Sequence, residues 1–190
     1  LTAPLNAGTA LAAGEKSYTT PGIDRIWVVD DGVKIMRGDL DHPAASGSEN
    51  PVWDGEVIRL FGARNEVVAF QVILQSGPEG ASRIDMEVSD LQNGEALIPG
   101  SAHSPEDPYD YRGRYVELLN AHYLEITERS TGGNAWTALA APRTSYTGWV
   151  PDALIPFSAE RWRGGTPFRM EPGRTQALWV DIWIPRTAQP

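Results

Sequence analysis

Residues 63–75, ARNEVVAFQVILQ, constrain the fold more than any other stretch of this chain. From Val67 to Leu74 every residue except Gln71 is β-branched, aromatic or aliphatic. In an extended backbone alternate side chains take opposite faces, so Val68, Phe70, Val72 and Leu74 share one face and Val67, Ala69, Gln71 and Ile73 the other. A strand apolar on both faces belongs in the interior of a sheet covered on both sides. Gly62 precedes the run and Ser76-Gly77-Pro78 follows it, both as turn signals. Arg64, Asn65 and Glu66 stand at its start, where a chain normally leaves the core, and their placement suggests a specific partner.

Further strands follow from the same alternation. Residues 23–31, IDRIWVVDD, set Ile26 and Val28 against Trp27 and Val29; Asp30-Asp31-Gly32 marks a turn, and residues 33–36 are expected to continue as a short strand. Residues 56–61 predict a strand beside that opening one. Residues 84–89, IDMEVS, place Ile84, Met86 and Val88 toward a core and Asp85 and Glu87 toward water. Residues 115–128 have spacing open to a helix, but recurring Val, Tyr, Ile and Thr favour a strand, with a bulge near Asn120-Ala121 joining its two halves. Residues 176–184, QALWVDIWI, form the last strand, stopped by Pro185. Residues 37–54, 90–110 and 130–173 lack a regular pattern and are read as loops. Amphipathic helices are scarce. About seven short strands separated by turns predict an all-β fold, an antiparallel β-sandwich of immunoglobulin-like or jelly-roll-like kind with long irregular loops. Residues 1–22, small and aperiodic, are read as an extended arm, and residues 23–190 as the sandwich domain.

Several chemistries find no support in the sequence. There is no cysteine, which excludes disulfides, thiolate nucleophiles and thiolate-held zinc. The three histidines, His42, His103 and His122, stand singly, without the spacing of a metal pair, and His122 is read as a structural histidine. The Asp39-Leu40-Asp41-His42 loop fails the calcium-loop pattern because Pro43 occupies a ligand position. No nucleophile elbow, phosphate loop or zinc-protease motif is present. Neighbouring carboxylates such as Asp30 and Asp31, or Glu106 and Asp107, make poor acid–base pairs, because adjacent strand residues diverge. No catalytic residue, metal or cofactor is assigned. A net charge of −9 argues against nucleic acid as a partner, and no apolar run reaches membrane-spanning length. Residues 1–13 carry small residues but neither a basic start nor a sustained apolar core, so they are not read as a signal peptide.

The aromatics carry more. Trp136, Trp149 and Trp162 fall in the loop-rich region, where indoles either plug loops onto a core or stack on the flat C–H faces of sugars. They are the candidate carbohydrate contacts. Trp179 and Trp183 share one face of the last strand with Asp181 between them, and either cover a second layer or pack on a neighbouring domain.

Three stretches taken together carry a resemblance: Arg64-Asn65-Glu66 with Ala69-Phe70-Gln71-Val72; residues 148–157, GWVPDALIPF; and residues 176–185 with their WVDIWIP core. In order and spacing they resemble the N-terminal domain of bacterial proteins related to glycoside hydrolase family 123 and the DUF4091 group, over about residues 23–190. The resemblance implies a noncatalytic accessory β-sandwich placed before a (β/α)8 barrel that holds the catalytic carboxylates of a substrate-assisted N-acetylgalactosaminidase. No position of this chain inherits that pair. Arg64, Asn65, Glu66, Asp152 and Phe157 become candidates for interdomain contact, with the barrel and an oligosaccharide as partners. An extracellular or periplasmic location is expected. Related domains continue past the IPRTAQP stretch into another strand, so the chain is expected to be a fragment with an exposed edge at its last strand. The alternatives are a stand-alone carbohydrate-binding module and a structural or adhesive sandwich that assembles through an open edge.

Overall fold

The structure, a computed structural model, describes residues 2–4, 21–48, 50–93, 95–101, 114–128 and 147–188. In chain order the strands are β1 (Thr2–Pro4), β2 (Ile23–Asp30), β3 (Val57–Arg59), β4 (Val67–Ser76), β5 (Ala81–Ile84), β6 (Leu91–Asn93), β7 (Ala96–Ile98), β8 (Val116–Ile126), β9 (Gly148–Pro156), β10 (Phe168–Met170) and β11 (Thr175–Trp183). One five-stranded antiparallel sheet, in the order β2-β4-β11-β8-β9, dominates. The pairs β1-β3, β5-β10 and β6-β7 form small two-stranded pieces. The fold is a β-sandwich, with the large sheet as its continuous layer.

The register explains the two faces. Val180 lies opposite both Phe70 and Leu118, and Leu178 lies opposite Val72, which in turn lies opposite Val28. These residues are buried and share one core cluster with Ile58, Ile98 and Met170 from the small sheets. The other face carries Trp27, Ile73 and Ala177, also fully buried. Both faces of β4 are covered, as its apolar pattern requires.

The second face is covered by a strap, residues 33–42, rather than by a strand. It leaves the end of β2, reaches over β8 and β9, and returns over β11 and β4 to stack His42 on Trp27 of β2. Its backbone groups are met by side chains from beneath. Gln71 donates to Val33 O at 2.7 Å, Tyr123 Oη to Ile35 O at 3.2 Å, and Gln75 to Leu40 O at 2.9 Å. Backbone bonds finish the job: Arg37 N donates to Trp149 O and Thr175 N to Arg37 O. A short strand expected at residues 33–36 is therefore absent. The apolar alternation that suggested it serves to bury Ile35 on the sheet face, with no neighbouring strand to pair with.

Other expectations change in similar ways. β3 pairs with β1 and with Trp53, not with β2. Residues 85–90 keep their alternation, with Met86 and Val88 packed on the core, yet form no ladder; Val88 instead exchanges bonds with Ser101. A hairpin, β6-β7, sits inside the expected loop 90–110, and β9 inside 130–173. The bulge in β8 falls one residue later than expected, between Ala121 and Tyr123. Gln176 holds it from β11, donating to Asn120 Oδ1 and Ala121 O, both at 2.7 Å. Asn120 in turn donates to Gly164 O at 3.0 Å. His122, read from the sequence as a structural histidine in a strand, lies in β8 at the bulge with its side chain exposed.

β11, expected as an edge, is the central strand and is paired on both sides. Its apolar residues on both faces are the reason, as for β4. The sheet edges are β2 and β9. Pro151 and Pro156 remove amide donors from β9, Arg37 N meets Trp149 O, and Lys34 Nζ meets Pro151 O at 3.0 Å, so this edge is blunted against further pairing.

Candidate functional site

The strap leaves part of the second face open. There β11 presents Trp179, Asp181 and Trp183, all half-buried. Two features occupy this open area. The first is a groove of about 250 Å³ between the strap's entry and β9. Asp31, Gly32 and Lys34 form one wall, Pro151, Asp152 and Leu154 the other, and Trp179, Gln71 and Ala121 the floor.

Each group in the groove is held by the local fold. The Trp179 indole N–H donates to Asp181 Oδ1 at 2.7 Å, an i,i+2 contact along one strand face that fixes the ring. Burial pushes the Asp181 carboxyl above its ordinary range; the indole hydrogen bond opposes this and the Asp31 carboxylate adds to it. Gln71 has its amide committed to the Asp30 and Val33 carbonyls. Lys34 reaches across to Pro151 O, so its ammonium is fixed between the two walls. The Asp30 side chain accepts from Gly32 N at 2.8 Å and tightens the turn that carries Asp31. Beneath the strap, burial raises the Tyr123 phenol, which stays a neutral donor to Ile35 O.

The second feature is the end of the sheet where β4 begins and β11 ends. Asn65 takes a left-handed backbone conformation, φ 64°, and its N–H donates to Ile184 O while Ile184 N donates to Glu66 O. Glu66 Oε2 accepts from Ala63 N, and Arg186 Nε donates to Asn65 Oδ1 at 3.0 Å. Arg64, Asn65 and Glu66 are all exposed. Beside them Gly62 packs so closely on Val68 and Ile184 that a Cβ would lie 2.4 Å and 2.6 Å from their side chains. Phe61 is left projecting at 98% exposure, with Val67 at 54%. Tyr115 stacks on Trp183 at 5.2 Å, and Arg114 pairs with Glu117 at 2.9 Å, completing a mixed apolar and charged rim.

The residues singled out from the sequence fall in different places. Arg64, Asn65 and Glu66 come together at the sheet end. Asp152 lines the groove, away from them. Phe157 packs against the core. Trp149 has the Arg37 guanidinium 4.9 Å from its ring centre, with Tyr123 on the same cation at 5.9 Å, so one indole face is taken. Trp162 is 75% exposed in the turn Arg161–Arg163, with Arg163 at 4.4 Å. Trp136, with His103, Glu106 and Asp107, lies outside the described residues. The Asp39–His42 loop is occupied with structure: Asp39 accepts from Met36 N, and His42 accepts from Ala44 N and stacks on Trp27. Among the described residues no cluster of three or more His, Asp or Glu is arranged to hold a metal.

Sequence reasoning did not assign the groove. The signal was present in the WVD triplet of β11, where an indole and a carboxylate two residues apart must share a face. What the triplet did not reveal was the strap, which turns a flat sheet face into a walled one. Compared with models of protein families and with curated proteins, the chain matches none.

Proposed function

We propose that this chain is a noncatalytic accessory β-sandwich of a glycoside-hydrolase-like protein, which supports a (β/α)8 barrel by packing the exposed end of its large sheet against it. The observation that carries the reading is the sheet end itself. Phe61 stands almost wholly in water beside Val67, framed by the exposed Arg64, Asn65 and Glu66. A phenylalanine left this exposed forgoes roughly 1.5–3 kcal/mol that burial would supply. Partly polar surroundings of this kind suit an interface between domains, which is more polar than a core. The resemblance of the motif-bearing segments supplies the identity of the partner.

The test is hydrogen exchange on the natural product that contains this chain, set beside the 190-residue chain alone. Slower exchange over residues 61–67 and at the Tyr115–Trp183 stack in the longer product supports the reading. A natural product of only this length, or one whose sheet end exchanges as fast as in the isolated chain, overturns the docking role. Hydrolysis of aryl glycosides by the isolated chain, lost on substituting one of its own carboxylates, overturns the noncatalytic role.

A further inference from the structure

We infer that the groove floored by Trp179 is a binding site for a neutral sugar ring, with Trp179 as the stacking platform and Asp31, Asp152 and Lys34 as hydroxyl partners. The inference stands on the groove alone and does not require the docking surface.

Charge decides the ligand class. The groove holds carboxylates on both walls, at Asp31 and Asp152, and a third carboxyl on Asp181 beside its floor. These repel an anionic ligand. Lys34, its ammonium held on Pro151 O, sets one positive charge against them, so the groove offers both acceptors and a charged donor at close range. A ligand that gains from both signs at close range is neutral and carries many hydroxyls, each able to donate to a carboxylate and accept from an ammonium. The floor sets its shape. An indole locked by its own N–H bond to Asp181 presents a fixed apolar surface, suited to the C–H face of a pyranose. Size agrees: 250 Å³ lies just under the range of about 300–1,000 Å³ for drug-sized ligands, which leaves room for a single ring in an open-topped site.

This assignment places the sugar contact away from the loop tryptophans. Trp149 already has one face on Arg37, and Trp162 stands on a turn with no facing wall described. Trp179 combines a fixed ring with polar groups on both sides.

The experiment is a ¹H–¹⁵N spectrum of the whole chain titrated with methyl β-D-glucopyranoside, methyl β-D-galactopyranoside and methyl α-D-mannopyranoside, up to about 100 mM, where weak single-ring binding is visible. Butylammonium and glucuronate serve as cationic and anionic probes. At least one neutral glycoside is expected to shift the Trp179 indole signal and the amides of residues 31–34 and 152–154, and to bind better than either charged probe. Asp152→Ala, at an exposed position, is expected to weaken that binding at least about tenfold while leaving the spectrum otherwise intact. Trp179→Leu is expected to abolish it; where that variant loses spectral dispersion, Asp152→Ala and Lys34→Gln decide. No shift with any neutral glycoside, shifts centred on Trp149 or Trp162, preference for a charged probe, or binding indifferent to Asp152→Ala and Lys34→Gln overturns the assignment.

Discussion

At the scale of single residues, two buried or half-buried polar groups make opposite contributions. Gln176 is buried and spends its amide on Asn120 Oδ1 and Ala121 O, the groups that the β8 bulge would otherwise leave unmet. Gln176→Leu keeps the volume and removes both donors, stranding buried acceptors; the expected loss is about 1–3 kcal/mol, read as a lower urea midpoint at unchanged slope. An unchanged midpoint would mean that the bulge is held by other contacts. Asp181 works the other way. Its folded pKa lies above the unfolded value, so the folded state holds the proton longer. Stability linked to this group is complete below the ordinary carboxylate range and is lost as pH rises through the folded value. Asp181→Asn keeps an oxygen to accept the Trp179 N–H and removes the charge. The variant is expected to have a higher urea midpoint than the parent at pH 7, the gap closing toward about pH 3.5, where the parent carboxyl is itself neutral. A gap that is constant with pH would assign the effect to something other than ionisation.

At the scale of elements, the strap is the feature that makes the groove, and Arg37 is its fastening. The guanidinium lies 4.9 Å from the Trp149 ring and 5.9 Å from Tyr123, while its backbone links Trp149 O and Thr175 N. Arg37→Ala leaves the backbone links and removes the stacking. The expected cost is about 0.5–1 kcal/mol, with faster hydrogen exchange confined to residues 33–42. Exchange that rises over the whole sheet instead would show the strap to be part of one cooperative unit with it. The strap also marks the limit of what the sequence could disclose. Strands β2, β4, β8 and β11 were legible because each buries alternate residues against a covered sheet, and the β8 bulge was legible from its change of phase. β9 was not: Pro151 and Pro156 interrupt the alternation of a strand, and its place at an edge tolerates them. The hairpin β6-β7 is too short to show a period. The strap resembled a strand because burial of Ile35 imposes the same local pattern whether the chain pairs sideways or crosses over. For the site the same rule holds. Asn65 and Glu66 were visible as polar residues out of place before a core strand, whereas the groove depends on residues brought together from the turn after β2 and from β4, β8, β9 and β11, a juxtaposition no local pattern encodes.

At the scale of the molecule, the docking role proposed for the sheet end can be separated from folding. Core positions such as Leu178 hold the sandwich together, and truncation there, as in Leu178→Ala, would cost about 2–5 kcal/mol. Phe61 is the reverse case. Its ring touches water almost everywhere, while the backbone beside it at Gly62 packs closely on Val68 and Ile184. Phe61→Ser is therefore expected to leave the urea midpoint of the isolated chain within about 0.5 kcal/mol of the parent. In a product that buries this end against a barrel, the same substitution removes a desolvated aromatic anchor and should be felt at 2 kcal/mol or roughly that order, as faster exchange over residues 61–67 and earlier cleavage between the two domains under limited proteolysis. The contrast between the two settings is the measurement. Equal, negligible effects in both would mean that no partner covers Phe61, and a large loss in the isolated chain would mean that the ring supports the fold despite its exposure. A small effect alone and a large one in the longer product is the result that a docking surface requires.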